Sequence, residues 1–264
     1  MPLAATASRV TRDALESLLR ARRLDRTLTT SLPAMAIERA SSGLMPLDAR
    51  LGGGFPRGHV SELVGRRSSG RTSLLVQLVA AATTRGELVA LVDTLDMFDV
   101  ESAAAAGVDL DRLLWIRGFV GCGGGACPPG AERALEQALR AFSLVLQAGN
   151  FGLVAFDVAE APALALKRLP FTTWLRLQRM VEGSQTVCLL VGSEPVARSA
   201  AGLTLRLGSR ASGVASRFGD RVLEGLDIDA AIHQSRIPNP DSRIPHSESR
   251  RATDVRVSLQ TVCA

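Results

Sequence analysis

The chain has 264 residues, 46% hydrophobic and 22% charged, with a formal net charge of +5 and a pI near 9.8. Those values suit one large α/β domain with appendages, exclude a disordered basic tail protein and leave contact with polyanions open. No apolar run reaches the roughly eighteen residues that a membrane span needs, and the N-terminus lacks a charged stretch followed by a sustained apolar block, so a soluble, cytoplasmic protein with no membrane contact is expected.

Residues 11–26 (TRDALESLLRARRLDR) place Ala14, Leu15, Leu18 and Leu19 on one face behind Thr11 as N-cap, which predicts a basic amphipathic helix. It either docks on its own domain or serves as a handle for a second subunit. Residues 43–58 (GLMPLDARLGGGFPRG) are turn-rich and are read as a lead-in rather than an interior element. An α/β rhythm follows. His59 to Val64 predicts a strand, Gly65 to Gly70 a loop, Arg71 to Thr84 a helix and Leu88 to Asp93 a second strand.

Val100 to Ala106 predicts a helix and Leu113 to Arg117 a short strand. Residues 118–130 (GFVGCGGGACPPG) hold six glycines and two prolines and are read as an exposed connection. Ala131 to Gln147 is a helix and Gly152 to Asp157 (GLVAFD) an apolar strand ending on a carboxylate. Leu164 to Val181 is a helix broken at Pro170, and Thr186 to Gly192 (TVCLLVG) is a further buried strand.

Leu203 to Leu207 and Leu223 to Ile232 predict strands with no helix between them, as at an antiparallel sheet edge. Residues 235–248 (SRIPNPDSRIPHSE) nearly repeat a Pro- and Ser-rich unit and are read as linker, while DVRVSLQTV alternates as a final strand would. The organisation expected is a helix and linker over 1–40, a core over 41–234, and a linker with a C-terminal strand over 235–264.

The segment Gly65-Arg66-Arg67-Ser68-Ser69-Gly70-Arg71-Thr72 fits the phosphate-loop pattern G-x-x-x-x-G-K-[ST] except that Arg71 stands where lysine belongs. In such a loop, successive N–H groups converge on phosphates and the helix N-terminus adds positive charge. The lysine reaches the β- and γ-phosphates as a point charge, and the next hydroxyl holds Mg²⁺. Arg71 keeps the charge but is planar, longer and forked. Lys167 is the single lysine against thirty arginines, so base composition alone could account for the exchange.

The residues read as nucleotide-binding are Gly65, Ser68, Ser69, Gly70, Arg71, Thr72 and Ser73, with ATP as the candidate ligand. Thr72 and Asp157 are the candidate Mg²⁺ holders, the latter through water, and Asp93 could share the crevice. No catalytic residue is assigned. Cys122, Cys127, Cys188 and Cys263 lack zinc-ligand spacing, and Cys188 reads as a buried reduced thiol, so no disulfide is expected.

Ser42-Gly43-Leu44-Met45-Pro46-Leu47-Asp48, GGGFPRGHVSELVG, the SSG of the loop, LVDTLD and AAAAGVDLDRLLWIRG resemble, in that order, the nucleotide-binding core of the bacterial recombinase RecA. The resemblance is specific over residues 40–120 and rests on strand pattern over 150–207. It implies an α/β fold with a RecA-like P-loop NTPase core, a mainly parallel central sheet, helices on both faces and antiparallel strands at the C-terminal edge.

In that family a glutamate after the second strand activates the attacking water, and the matching position here is Leu95, which cannot do so. Asp96 or Glu194 could substitute for that glutamate, although neither falls on the matching position. The family also has a polar amide at the end of the strand before its DNA-binding loop, where here TVCLLVG runs into Gly192-Ser193-Glu194. The segments between Asp157 and Leu203 that match the DNA-binding loops are short, so strand exchange is not expected.

A small RecA-like chain of this kind is similar to the ImuA group, accessory proteins of bacterial damage-induced (SOS) mutagenesis. That implies a polymerase-like partner of ImuB type and an error-prone polymerase. Three readings stand: an adaptor in translesion DNA synthesis with a degenerate ATPase site, an active DNA-dependent ATPase of repair or recombination, and a switch that binds ATP without cleaving it. Self-association through residues 11–26 and DNA contact through arginines in 9–26 and at Arg206, Arg210, Arg217 and Arg221 are further expectations, although acids are interspersed among them.

Overall fold

A computed structural model describes residues 37–118, 130–197, 202–217, 220–235 and 253–259; for 209–217, 220–227, 233–235 and 253–259 only the backbone is described. The expected helix at 11–26, residues 119–129 of the Gly-rich connection read over 118–130, and residues 236–248 of the linker read over 235–248 lie outside the described residues.

Strand β1 (Arg39–Ala40) pairs antiparallel with β2 (Phe55–Pro56). Between them lies helix α1 (Met45–Leu51), a correction to the turn-only reading of 43–58. Its punctuating residues are caps. Pro46 opens the first turn, and Gly52, left-handed at φ 66, closes the helix with its N–H on the Asp48 carbonyl. The Asp48 carboxylate accepts from Ser41 Oγ at 2.6 Å, Ser42 N at 2.8 Å and Ser42 Oγ at 2.7 Å, while Leu47 and Leu51 are buried.

The α/β rhythm then runs through β3 (His59–Gly65), α2 (Arg71–Thr84), β4 (Val89–Asp93), α3 (Val100–Ala105), β5 (Leu113–Arg117) and α4 (Ala131–Ala148). It continues with β6 (Leu153–Asp157), α5 (Ala163–Arg168), α6 (Phe171–Val181) and β7 (Val187–Gly192). These match the expected elements within a residue or so, including the break at Pro170. Asp99 caps α3 by accepting from the Glu101 and Ser102 amides at 3.1 and 3.3 Å.

The last strands are β8 (Leu203–Arg217), β9 (Asp220–Ser235) and β10 (Thr253–Leu259). All three complete one eight-stranded sheet of order β10-β9-β8-β3-β7-β6-β4-β5. Six strands, β8 to β5 in that order, are parallel, and β9 and β10 run antiparallel at the edge. The hairpin corrects the shorter strands read at Leu203–Leu207 and Leu223–Ile232. β8 pairs with β3 only over Leu203–Leu207, and beyond Gly208 it continues on β9 alone. Its Ser, Gly and Ala content has little strand preference, so the extension depends on partner backbone rather than local propensity.

Alternate strand residues feed two cores on opposite sheet faces. Leu63, Leu91, Ala155 and Leu189 pack with Leu74, Leu75 and Leu78 of α2, and Val92, Phe156, Cys188 and Leu190 pack with α4 and α6. Phe142 stacks on Phe156 with centroids 4.8 Å apart, and Trp174 and Leu177 close the same face. Each such side chain contributes about 1.5–3 kcal/mol of transfer free energy. Among the described residues, no helix is long and apolar enough to cross a membrane.

Candidate phosphate-binding site

The sheet order puts the loop after β3 and the segment after β6 on the same carboxyl edge, with only β7 between them. At the loop, Ser69 N donates to Arg66 O at 3.1 Å, and φ values of 60 at Ser68 and 84 at Gly70 fold the backbone back onto the start of α2. Gly65 is required for the close approach: an added Cβ would stand 2.2 Å from Ser69 Oγ and 3.0 Å from Leu207 O. Gly65, Ser69, Gly70 and Arg71 are buried, whereas Ser68, Thr72 and Ser73 are exposed. Ser69 Oγ is buried without a hydrogen-bond partner.

Arg71 is 7% exposed, and both terminal nitrogens of its guanidinium donate within the protein. Its Nη1 donates to Gly65 O at 2.6 Å and its Nη2 to Glu160 Oε1 at 2.6 Å. Arg67 closes on the other oxygen of the same carboxylate, with Nε at 3.0 Å and Nη2 at 2.5 Å from Glu160 Oε2. The Arg67 hydrogen bonds, with the nearby charge of Arg71, hold the Glu160 carboxyl below the ordinary range. Glu160 was not singled out by motif reading; its signal was an acid three residues past a strand-end aspartate.

Asp157 ends β6, and its Oδ1 accepts from Ala159 N at 2.9 Å. Burial, with the Asp93 charge adding to it, pushes its carboxyl up to about 6, against the pull of the Ala159 amide and Arg71. Asp93 is 2% exposed and its Oδ2 accepts from Phe98 N at 2.8 Å.

Leu95 is half-buried and offers no acceptor at the turn after β4. Asp96, at φ 58, is clamped by Arg117, whose Nε and Nη2 donate at 2.7 and 2.6 Å. These bonds hold the Asp96 carboxyl below its ordinary range. Arg117 also lies 4.5 Å above the Trp115 ring centre, and Phe98 meets Trp115 edge-on at 5.6 Å. Glu194 is exposed. Arg206 is exposed too, whereas 9–26 and the side chains of Arg210, Arg217 and Arg221 lie outside the described set.

Glu62, in the middle of β3, is a residue the motifs passed over. It is 1% exposed, and its Oε1 accepts from Val196 N and Ala197 N at 2.8 Å each, with Oε2 accepting from Thr204 Oγ1 at 2.8 Å. One carboxylate thus ties the segment after β7 and the start of β8 to the central strand. A lone acid within the apolar run HVSELVG was the available signal.

In shape, the site fits nucleotide phosphate: a backbone cradle with no room for a Cβ at Gly65, a helix N-terminus and an orphaned buried hydroxyl at Ser69. Thr72 and Asp157 both lie on its carboxyl edge. In charge, the cradle's cation is already paired with Glu160.

Residues 26–126 match the RecA N-terminal domain family. Protein RecA of Arthrospira platensis is 45% identical over 80 residues, 30% of this chain and 22% of that protein. Protein RecA of Nostoc punctiforme is 44% identical over 80 residues, again 30% of this chain and 22% of that protein. Protein RecA of Synechococcus sp. strain CC9902 is 42% identical over 80 residues, 30% and 21% of the two chains. The match spans about a fifth of the length of these curated relatives. With a mainly parallel sheet around a loop of this form, the fold is RecA-like, and the sequence similarity to RecA lies in the first half of the chain.

Proposed function

We propose that the chain is a RecA-like accessory protein of bacterial DNA repair and damage-induced mutagenesis, an adaptor in translesion synthesis whose ATPase site is degenerate. The observation that carries this reading is the commitment of Arg71, at the lysine position of the loop, to Gly65 O and Glu160. A guanidinium so placed turns both of its terminal nitrogens to Gly65 O and Glu160 rather than to a γ-phosphate. Leu95, where the resemblance puts a water-activating glutamate, supports the same reading. Its partners are a polymerase-like protein of ImuB type and an error-prone polymerase.

Nucleotide turnover by the purified chain, with and without single-stranded DNA, tests the reading. Turnover at the level of a working recombinase, lost in Asp157→Ala, would overturn it in favour of a DNA-dependent ATPase. DNA contact through the arginines predicts affinity that falls steeply with salt.

The intact cradle favours a second reading, ATP binding without cleavage. Gly65, Ser68, Ser69, Gly70, Arg71 and Ser73 would line the phosphates, with Thr72 and Asp157 on the Mg²⁺ side. Calorimetric titration with ATP and Mg²⁺ separates the two: heat with wild type and none with Gly70→Asp supports the switch, and no heat with either leaves the scaffold.

A further inference from the structure

Two guanidinium groups of the loop converge on one carboxylate from outside it. Arg67 takes Glu160 Oε2 through two nitrogens and Arg71 takes Oε1 through one. A carboxylate offers a guanidinium the same paired oxygen acceptors that a phosphate does, so the two anions compete for the same donors. The Arg71 side chain is 8% exposed and the Glu160 side chain 23%. A charge buried as deeply as Arg71 requires an anionic partner at all times, because leaving it bare is strongly unfavourable. Arg67, at 82%, reaches into solvent and is free to follow whichever anion is present.

We infer that Glu160 is the residue that sets the loop's affinity for phosphate, by acting as a built-in competitor that a nucleotide must displace. The inference rests on the reading that the loop takes a nucleotide. Exchange of one anion for another keeps Arg71 paired throughout and releases the segment Val158–Pro162, which leads directly into α5. That segment is held at its start by Val158 N donating to Val191 O at 2.9 Å and by Ala161 N donating to Val158 O at 3.1 Å. Displacement of Glu160 therefore also loosens the chain between Asp157 and α5.

Glu160→Gln retains the size of the side chain and removes its charge. Binding of ATP with Mg²⁺, and separately of inorganic tripolyphosphate, is measured by calorimetry on the full chain. Both probes are expected to bind roughly tenfold tighter to the variant than to wild type, because a charge-assisted competitor is gone. Hydrogen exchange at residues 158–162 of the wild type is expected to speed up when ATP is added.

Saturable binding of equal strength by wild type and Glu160→Gln overturns the inference and leaves nucleotide binding standing. No binding of either probe by either folded protein overturns the nucleotide reading and the inference with it. Should Glu160→Gln fail to melt cooperatively, Glu160→Asp decides: it retracts the charge from both arginines, so tighter binding supports the competitor and unchanged binding sinks it.

Discussion

Asp93 and Asp157 stand directly opposite each other in the parallel register of β4 and β6, which places two carboxylates on the carboxyl edge of the sheet. Backbone amides hold both, Phe98 N on Asp93 and Ala159 N on Asp157. Apolar walls and a like charge alongside make ionisation of Asp157 unfavourable until a cation arrives.

The sign of its pH dependence follows. Between the ordinary carboxyl value of 3.8 and about 6, the folded chain holds a proton that the unfolded chain has released. Stability contributed by this group therefore falls as pH rises through that window, and the penalty is complete above it. Asp157→Asn removes the penalty and keeps an acceptor for Ala159 N. Urea titrations should show it more stable than wild type by about 3 kcal/mol near neutral pH, a gain that vanishes as pH falls below 3.8.

Glu62 should behave as a structural anchor. Truncation in Glu62→Ala leaves two buried amides and a threonine hydroxyl without their acceptor, which costs about 2–4 kcal/mol by chemical denaturation. Glu62→Gln keeps an acceptor for the amides and pairs its NH₂ with Thr204 Oγ1, so its loss should be clearly smaller. Equal losses in the two variants would show that charge, rather than the hydrogen bonds, matters there.

Gly54, at φ 122, has no space for a side chain: a Cβ would lie 2.0 Å from Ala40 O. Gly86 also has positive φ, at 82, but nothing within 4 Å of an added Cβ. Gly86→Ala should then cost about 1 kcal/mol from backbone strain alone, and Gly54→Ala about 3 kcal/mol or more. Thermal melts of the two variants separate clash from strain, and matching losses would refute the clash.

At the opposite, amino end of the strands, Glu87 accepts from Arg57 Nη2 at 2.5 Å and Arg85 Nε at 3.1 Å, while Arg57 Nη1 reaches Gln185 O at 2.5 Å. Burial works against the Glu87 charge, yet the hydrogen bonds of Arg85 and Arg57 hold its carboxyl below the ordinary range. Its stabilisation is therefore present above the unfolded value near 4.5 and lost as pH falls through the lower folded value. Glu87→Gln should cost about 1 kcal/mol at neutral pH and nothing in strong acid. A cost that persists in acid would point to packing instead.

The continuous apolar runs GLVAFD and TVCLLVG, and the helical period from Ala131 onward, made the parallel core legible, because a central strand buries both faces and each helix one. α1 was missed because its glycines and proline act as caps in a seven-residue helix, too short for periodicity to speak. The outer half of the β8–β9 hairpin was missed because Gly208 to Gly213 carries no strand preference of its own. At the site, the loop glycines and strand-end acids were readable from spacing, whereas Glu62 and Glu160 carry no motif.

By itself the sequence determined the strands and helices of the parallel core, and that an arginine occupies the lysine position of a phosphate loop. Those are local properties of steric preference and period. Only the tertiary structure decided what that arginine does. Its partner Glu160 comes from the segment that follows a strand two places away in the sheet, and what a guanidinium pairs with depends on distances that sequence separation does not encode.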